Sequence, residues 1–185
     1  MDAAHELAAQ VRAGELPEPE VVVVALGSGG TAAGLAVGFE QAGLRTRVLG
    51  VAVAPPTPVL RHMARRLAQK TAALAGLPVS GAVRAAMRVD VEGRWIGRGY
   101  GFPTEEGEAA TETARAAGLV LDPTYTAKAF ACALAVAGGA GGAGGSSGPV
   151  LYWHTLSTAP LLPFLNESEA AKPLPRGVAS LLKGK

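Results

Sequence analysis

A disulfide needs two cysteines, and this sequence of 185 residues has one, Cys132. No disulfide framework can form within the chain, which suits a reducing compartment and leads us to expect a cytoplasmic protein. Cys132 lies in an apolar helical stretch and reads as a small buried hydrophobe. Charge is scarce too, at 17% of residues with a formal net charge of +2, too little to argue for a nucleic-acid partner. Aromatics are only 5%, so the core must be built from Ala, Val and Leu, while 49% hydrophobic residues suffice for one globular domain. The first twenty residues hold acids and no apolar segment, unlike a signal peptide. Ala129 to Trp153 has no charge, but Pro149 and a run of glycines interrupt it; in lipid their backbone groups would go unsatisfied, so no membrane span is expected. No metal site is expected. No lysine occurs before Lys70.

What is present is organised around Val21 to Gly43. Four consecutive valines, Ala25 and Leu26 make an apolar run without alternation, the pattern of a strand buried on both faces in a parallel sheet. Gly27, Gly29 and Gly30 break it, and Thr31 to Gln41 reads as a helix. A glycine turn between buried strand and helix N-terminus makes an anion site, with Ser28 and Thr31 adding hydroxyl donors. A nucleotide P-loop would need Gly-Lys-Ser/Thr here, and there is no lysine. Gly27, Gly29 and Ala32 fit a dinucleotide fingerprint nominally, but the next strand, Arg47 to Pro56, ends without the acid that would hold a ribose. A single terminal phosphate, held by Gly29, Gly30 and Thr31, is the third reading. A tight turn that binds nothing is the fourth.

Along the chain, a short helix is expected over Asp2 to Ala13, with His5 solvated. A second apolar strand spans Thr46 to Ala54. Thr57 is placed to cap a helix running to about Ala75, with Pro58 at its first position and Val59, Met63, Leu67 and Leu74 inward. Arg61, Arg65, Arg66 and Lys70 share a helical spacing and read as its solvated face. Val83 to Met87 extends helical structure, Met87 to Val91 a short strand, and Asp90 to Arg94 a turn. Helices follow from Thr104 to Gly118 and from about Tyr125 to Val136. Gly138 to Gly148 reads as a flexible solvent loop, Val150 to His154 as the last strand, and Pro160 to Leu165 as a helical turn. We expect an α/β fold with three αβα layers and an open parallel sheet, residues 1–166 forming one domain and 167–185 a polar tail. Ligands of such sheets bind beyond the carboxyl ends of the strands.

Three segments in order carry a family resemblance: GSGGT at Gly27 to Thr31, GYGFPTEEGEAA at Gly99 to Ala110, and LDPTYTAKAF at Leu121 to Phe130. LYWHT at Leu151 to Thr155 makes a fourth, weaker match. They resemble the pyridoxal-phosphate enzymes of the D-cysteine desulfhydrase and 1-aminocyclopropane-1-carboxylate (ACC) deaminase group, which have the tryptophan-synthase-β fold (fold type II). The resemblance implies that Gly27, Ser28, Gly29, Gly30 and Thr31 hold the cofactor's phosphate. It implies that Tyr100 and Tyr125 are the catalytic tyrosines of the substrate side, able to donate, accept or carry a proton. Thr126 matches the residue facing the pyridine nitrogen, where the deaminases have Glu and the desulfhydrases Thr. A neutral hydroxyl there makes a weaker electron sink and favours β-elimination over ring opening. Thr155 joins the cofactor-binding set, although the family's His-Thr-Gly-Gly stands here as His154-Thr155-Leu156-Ser157.

In the family, the lysine that joins the cofactor covalently lies well upstream of the glycine turn; Lys70, Lys128, Lys172, Lys183 and Lys185 match no such position. The chain thus resembles the carboxyl-terminal half of such an enzyme, as a truncated gene product, one half of a split enzyme or a remnant put to another use would. Pyridoxal phosphate is expected to bind without a covalent bond, and the chain alone is expected to be inactive. The expected partners are a small amino-acid substrate or phosphate ligand, and a second copy or a separate amino-terminal half that completes a partner-dependent lyase. The alternative is a non-catalytic phosphate-ligand module, or a remnant.

Overall fold

The structure is a computed structural model and describes residues 1–139 and 146–156. The helical turn expected near Pro160 to Leu165, the polar tail and the middle of the glycine run lie outside the described residues. Four parallel strands form one sheet: β1 (Val21–Leu26), β2 (Arg47–Ala52), β3 (Val89–Glu92) and β4 (Val150–Trp153), in the order β3-β2-β1-β4. Val21 pairs with Arg47 on one side and Val150 on the other, and Val48 pairs with Val89.

The helices divide between the two faces because alternate strand residues point opposite ways. Val22, Val24, Leu26, Val48, Ala52, Val89 and Val91 face one way, into a core shared with α1 (Asp2–Arg12), α2 (Gly30–Ala42), α3 (Thr57–Leu74) and α4 (Val79–Met87). Val21, Val23, Leu49 and Val51 face α5 (Glu105–Ala116) and α6 (Thr126–Ala137), with Trp95 from the 3₁₀ turn Arg94–Ile96. This is the three-layer αβα arrangement expected from the unbroken apolar strands. Thr104 caps α5, its hydroxyl accepting from the Gly107 N–H at 3.1 Å.

Small residues let the layers approach. A Cβ on Gly38 of α2 would lie 2.5 Å from the Ala4 Cβ of α1, so only glycine permits that crossing. The same economy corrects the expectation for α3. Its buried residues are Ala64, Ala68 and Ala72, and Leu67 packs half-buried against the same core as expected, whereas Val59, Met63 and Leu74 are exposed. With α2 and α4 packed against it, the centre of the inner face takes methyl groups, and Leu60 and Leu67 pack at its margins. Thr57 is the first residue of α3 and makes no capping hydrogen bond, a second correction.

The arginines of α3 are a third. Arg61 and Arg65 are not simply solvated: they donate to the carbonyls of Val91 and Val89, each at 2.8 Å, and Arg61 lies 2.7 Å from the Asp90 carboxylate. They satisfy acceptors along the β3 edge. Arg66 and Lys70 are exposed, as expected of a solvated face. At the opposite edge, β4 is seated by Glu20. Its carboxylate accepts from the N–H groups of Ser147 and Gly148 at 3.2 and 2.8 Å, while the Glu20 N–H donates to the Pro149 carbonyl at 2.8 Å. No helix among the described residues is long and apolar enough to cross a membrane, and among them no cluster of side chains could hold a metal ion.

Candidate active site at the carboxyl edge of the sheet

Parallel strands bring Gly27, Val53 and His154 to one edge of the sheet. Beside β1 the topology switches: α2 leaves β1 toward one face, and α6 precedes β4 on the other. The gap between such diverging connections is where open α/β sheets bind ligands.

The turn after β1 forms one wall. Gly29 is the N-cap of α2 with φ +85°, and its carbonyl starts the helix by accepting from the Ala33 N–H at 2.9 Å. No side chain caps this end, and the first turn holds no acid, so its N–H groups and partial positive charge face outward. Ser28, Gly30 and Thr31 are exposed, and Gly29 is buried. The sequence-expected phosphate residues are therefore gathered in one anion-ready loop.

Tyr125 forms the opposing wall. A Cβ on Gly27 would lie 3.5 Å from Cε1 of the Tyr125 ring, so the ring lies directly against the glycine turn. The Tyr125 and Tyr100 hydroxyls are 2.7 Å apart and their rings meet edge to face, 5.8 Å between centroids. The hydrogen bond to Tyr100 pushes the Tyr125 pKa up, with burial adding to it.

Asp122 places Tyr125, a role the sequence reading missed. One carboxylate oxygen accepts from the N–H groups of Thr124 and Tyr125 at 3.0 and 2.8 Å; the other accepts the Thr126 N–H at 3.0 Å and its hydroxyl at 2.7 Å. Burial raises the Asp122 pKa, but the Thr126 hydroxyl and these backbone N–H groups outweigh it and hold the carboxyl below its usual value. The signal was the Asp-Pro pair, which starts a turn whose side chain folds back onto its own backbone. Thr126 is buried, and its hydroxyl also accepts the Asp122 N–H at 2.7 Å, so it is engaged within this cap. Thr155, by contrast, is exposed just beyond β4.

Two further groups complete the surroundings. Lys128 is fully buried, its ammonium donating to the carbonyls of Ile96 and Gly99 at 2.8 and 3.1 Å. Tyr152 donates to the Thr126 carbonyl at 3.3 Å and lies 3.1 Å from Nδ1 of His154, and burial pushes its pKa up to about 12. His154 is half-buried against it, which agrees with a packed residue. Cys132 is also fully buried, its thiol pushed up to about 12 by burial.

Comparison with known proteins follows the same lines. The chain is 37% identical over 135 residues to a D-cysteine desulfhydrase of Klebsiella pneumoniae (strain 342), covering 72% of this chain and 39% of that protein. A D-cysteine desulfhydrase of Yersinia enterocolitica is 38% identical with the same coverage. The chain thus spans about two-fifths of the length of these curated relatives. A solved structure titled "Crystal Structure Analysis of the ACC deaminase homologue" superposes with a TM-score of 0.64 at 26% identity, covering 80% of this chain and 43% of that one. Residues 1–155 match the family described as "Pyridoxal-phosphate dependent enzyme", and the chain belongs to that family.

Proposed function

We propose that this chain supplies the phosphate cradle and the tyrosine wall of a pyridoxal-phosphate lyase acting on small amino acids by β-elimination, as a D-cysteine desulfhydrase does. By itself it would hold the cofactor without a covalent bond. The observation that carries this is the uncapped, acid-free N-terminus of α2 facing the hydrogen-bonded Tyr125–Tyr100 pair.

The family's cofactor is pyridoxal phosphate, and the residues present fit it. The left-handed Gly29 turns free N–H groups outward, exposed hydroxyls stand on Ser28 and Thr31, and an aromatic ring lies against Gly27. When bound, the cofactor supplies an electron sink for amino-acid chemistry. In this reading Gly29, Gly30 and Thr31 bind and neutralise the phosphate. Tyr125 lies beside the phosphate turn, and the two phenols hold a proton between their oxygens that either can hand to a leaving group. Thr126, whose hydroxyl is held by Asp122 at the start of α6, would be the neutral residue on the pyridine side of the cofactor, and the exposed Thr155 would complete the cofactor-binding set.

One observation favours a second reading, a non-catalytic phosphate-ligand module. Of the described lysines, Lys70 is exposed on α3 and Lys128 is tied to Ile96 and Gly99, so neither serves the cradle. Activity would then need a lysine from elsewhere, delivered by a second copy or by an amino-terminal half. Equilibrium dialysis with pyridoxal phosphate tests the cradle: Thr31→Val should bind about tenfold more weakly, equivalent to about 1.4 kcal/mol. Unchanged affinity would remove the cradle. Borohydride treatment followed by mass analysis should trap no stoichiometric lysine adduct. An adduct on Lys128 would overturn the non-covalent reading.

A further inference from the structure

We propose that Lys128 is a positioning residue for the candidate site, holding the Gly97–Gly101 loop so that the Tyr100 hydroxyl meets that of Tyr125. The proposal rests on the reading above only in taking this pair as the substrate side. Lys128 has no exposed surface, and among the described residues it has no carboxylate partner. It sits in the first turn of α6, where the helix's partial positive charge opposes a cation. Burial and helix end both count against an ammonium there, and burial lowers its pKa accordingly.

What opposes those penalties is specific. Both acceptors, the Ile96 carbonyl at 2.8 Å and the Gly99 carbonyl at 3.1 Å, belong to the segment that delivers Tyr100, and Gly99 immediately precedes it. Besides the ammonium, the segment is held by two turn bonds, from the Gly99 N–H to the Ile96 carbonyl at 3.2 Å and from the Phe102 N–H to the Gly99 carbonyl at 3.4 Å, and by Arg98 lying over the Phe102 ring. Gly97, Gly99 and Gly101 take positive φ values of +61°, +126° and +81°, a backbone without side-chain anchors at alternate positions. The Gly99 N–H donates to the same Ile96 carbonyl at 3.2 Å, closing a small ring of bonds that the ammonium completes. A neutral side chain of similar volume would fill the space but leave the Ile96 carbonyl with only the Gly99 N–H at 3.2 Å and the Gly99 carbonyl with only the long Phe102 N–H bond at 3.4 Å.

The test reads the tyrosine pair directly. The sequence has three tyrosines, Tyr100, Tyr125 and Tyr152, so a sample labelled at tyrosine Cζ gives three carbon signals, assignable with Tyr→Phe variants. In the unsubstituted chain Tyr125 should titrate above the ordinary phenol value of about 10. In Lys128→Met its midpoint should fall to that seen in Tyr100→Phe. The double variant should fall no further, and the Tyr152 midpoint should stay where it was, with circular dichroism showing the chain folded. A folded Lys128→Met chain whose Tyr125 midpoint is unmoved, or a double variant whose effects add, overturns the proposal. If Lys128→Met does not fold, the unsubstituted protein decides. A slowly exchanging Lys128 ammonium nitrogen signal, with proximity to the Gly99 α-protons, supports the role; rapid exchange with water refutes it. These measurements contain no pyridoxal phosphate, so they succeed or fail independently of the Thr31→Val experiment.

Discussion

Gly29 offers the sharpest test of how the cradle is built, because two separate effects meet at one residue. Its φ of +85° lies in the left-handed region, where a Cβ costs about 1–2 kcal/mol. That Cβ would also stand 3.2 Å from the Ala64 Cβ and 3.3 Å from the Ala64 Cα, tighter than ordinary contact. Ala64 is fully packed on the inner face of α3, so α2 and α3 must separate by a few tenths of an ångström, at about 1–2 kcal/mol more. Gly29→Ala should therefore destabilise by about 2–4 kcal/mol in urea titration. Gly43, at the other end of α2, is the matched control: its φ is +76° and nothing lies within 4 Å of its virtual Cβ. Gly43→Ala should show only the backbone part, about 1–2 kcal/mol. Gly29→Ala/Ala64→Gly should recover only part of the contact cost, because the Ala64 Cα stays 3.3 Å away and a glycine inside α3 itself costs about 0.5–1 kcal/mol. Pyridoxal phosphate affinity should fall in Gly29→Ala and not in Gly43→Ala, since only the former moves the N–H groups of the turn. If the two glycine variants lose equal stability, the α2–α3 approach is not what confines this position. If affinity is also untouched, the turn is not the anion site.

Asp122→Ala should destabilise by about 1–2 kcal/mol through loss of the cap on α6, and should loosen Tyr125, read as a weaker temperature-dependent melt and a shifted phenol titration. Glu40 pairs with Arg84 at 2.6 Å and Arg88 at 2.9 Å. Burial pushes its pKa up, but hydrogen bonds from Arg88 and Arg84 outweigh this and leave it lowered. A lowered acid stabilises above its unfolded pKa and loses that contribution as pH falls through the folded value. Glu40→Gln should therefore cost stability at pH 7 and converge with the unsubstituted chain in acid, in urea titrations across that range. Val79, Val83 and Met87 form an exposed apolar stripe along α4, beside exposed Leu74. We expect concentration-dependent association in sedimentation, abolished by Val83→Glu/Met87→Glu; a concentration-independent monomer would argue against partnering through this face.

The sheet was readable because its strands announce themselves: Val21 to Leu26 and Val48 to Val53 are apolar at every position, and only a strand covered on both faces tolerates that. The glycine turn and the start of α2 followed from the same stretch. Helix orientation was harder. In α3 the large apolar residues outnumber the alanines on any hydrophobicity count, yet Ala64, Ala68 and Ala72 face inward, because neighbours at close range select for size over hydrophobicity. Arg61 and Arg65 were misread for a related reason: an arginine whose acceptor is a backbone carbonyl of another strand leaves no charge pattern in the sequence. The same holds at the site. The motifs pointed to Tyr100 and Tyr125, and the Asp122-Pro123 pair carried the local signal of a turn that caps α6, but nothing local revealed that Lys128 turns toward Ile96, 32 residues away in the chain.

The seating of β4 by Glu20 has a kinetic consequence. Glu20 reaches Arg47 across 27 residues of chain but Gly148 across 128. For a flexible chain the longer closure costs about 1.4 kcal/mol more entropy, and it is repaid by only four residues of pairing, all half-buried. The β1–β2–β3 unit can therefore form early, with β4 joining late and, in the folded protein, opening first. Hydrogen exchange should find the amides of Leu151 to Trp153 less protected than those of Val22 to Val24. The two walls of the crevice would then differ in lifetime: a durable glycine turn on β1, and a His154–Thr155 side that comes and goes with its strand.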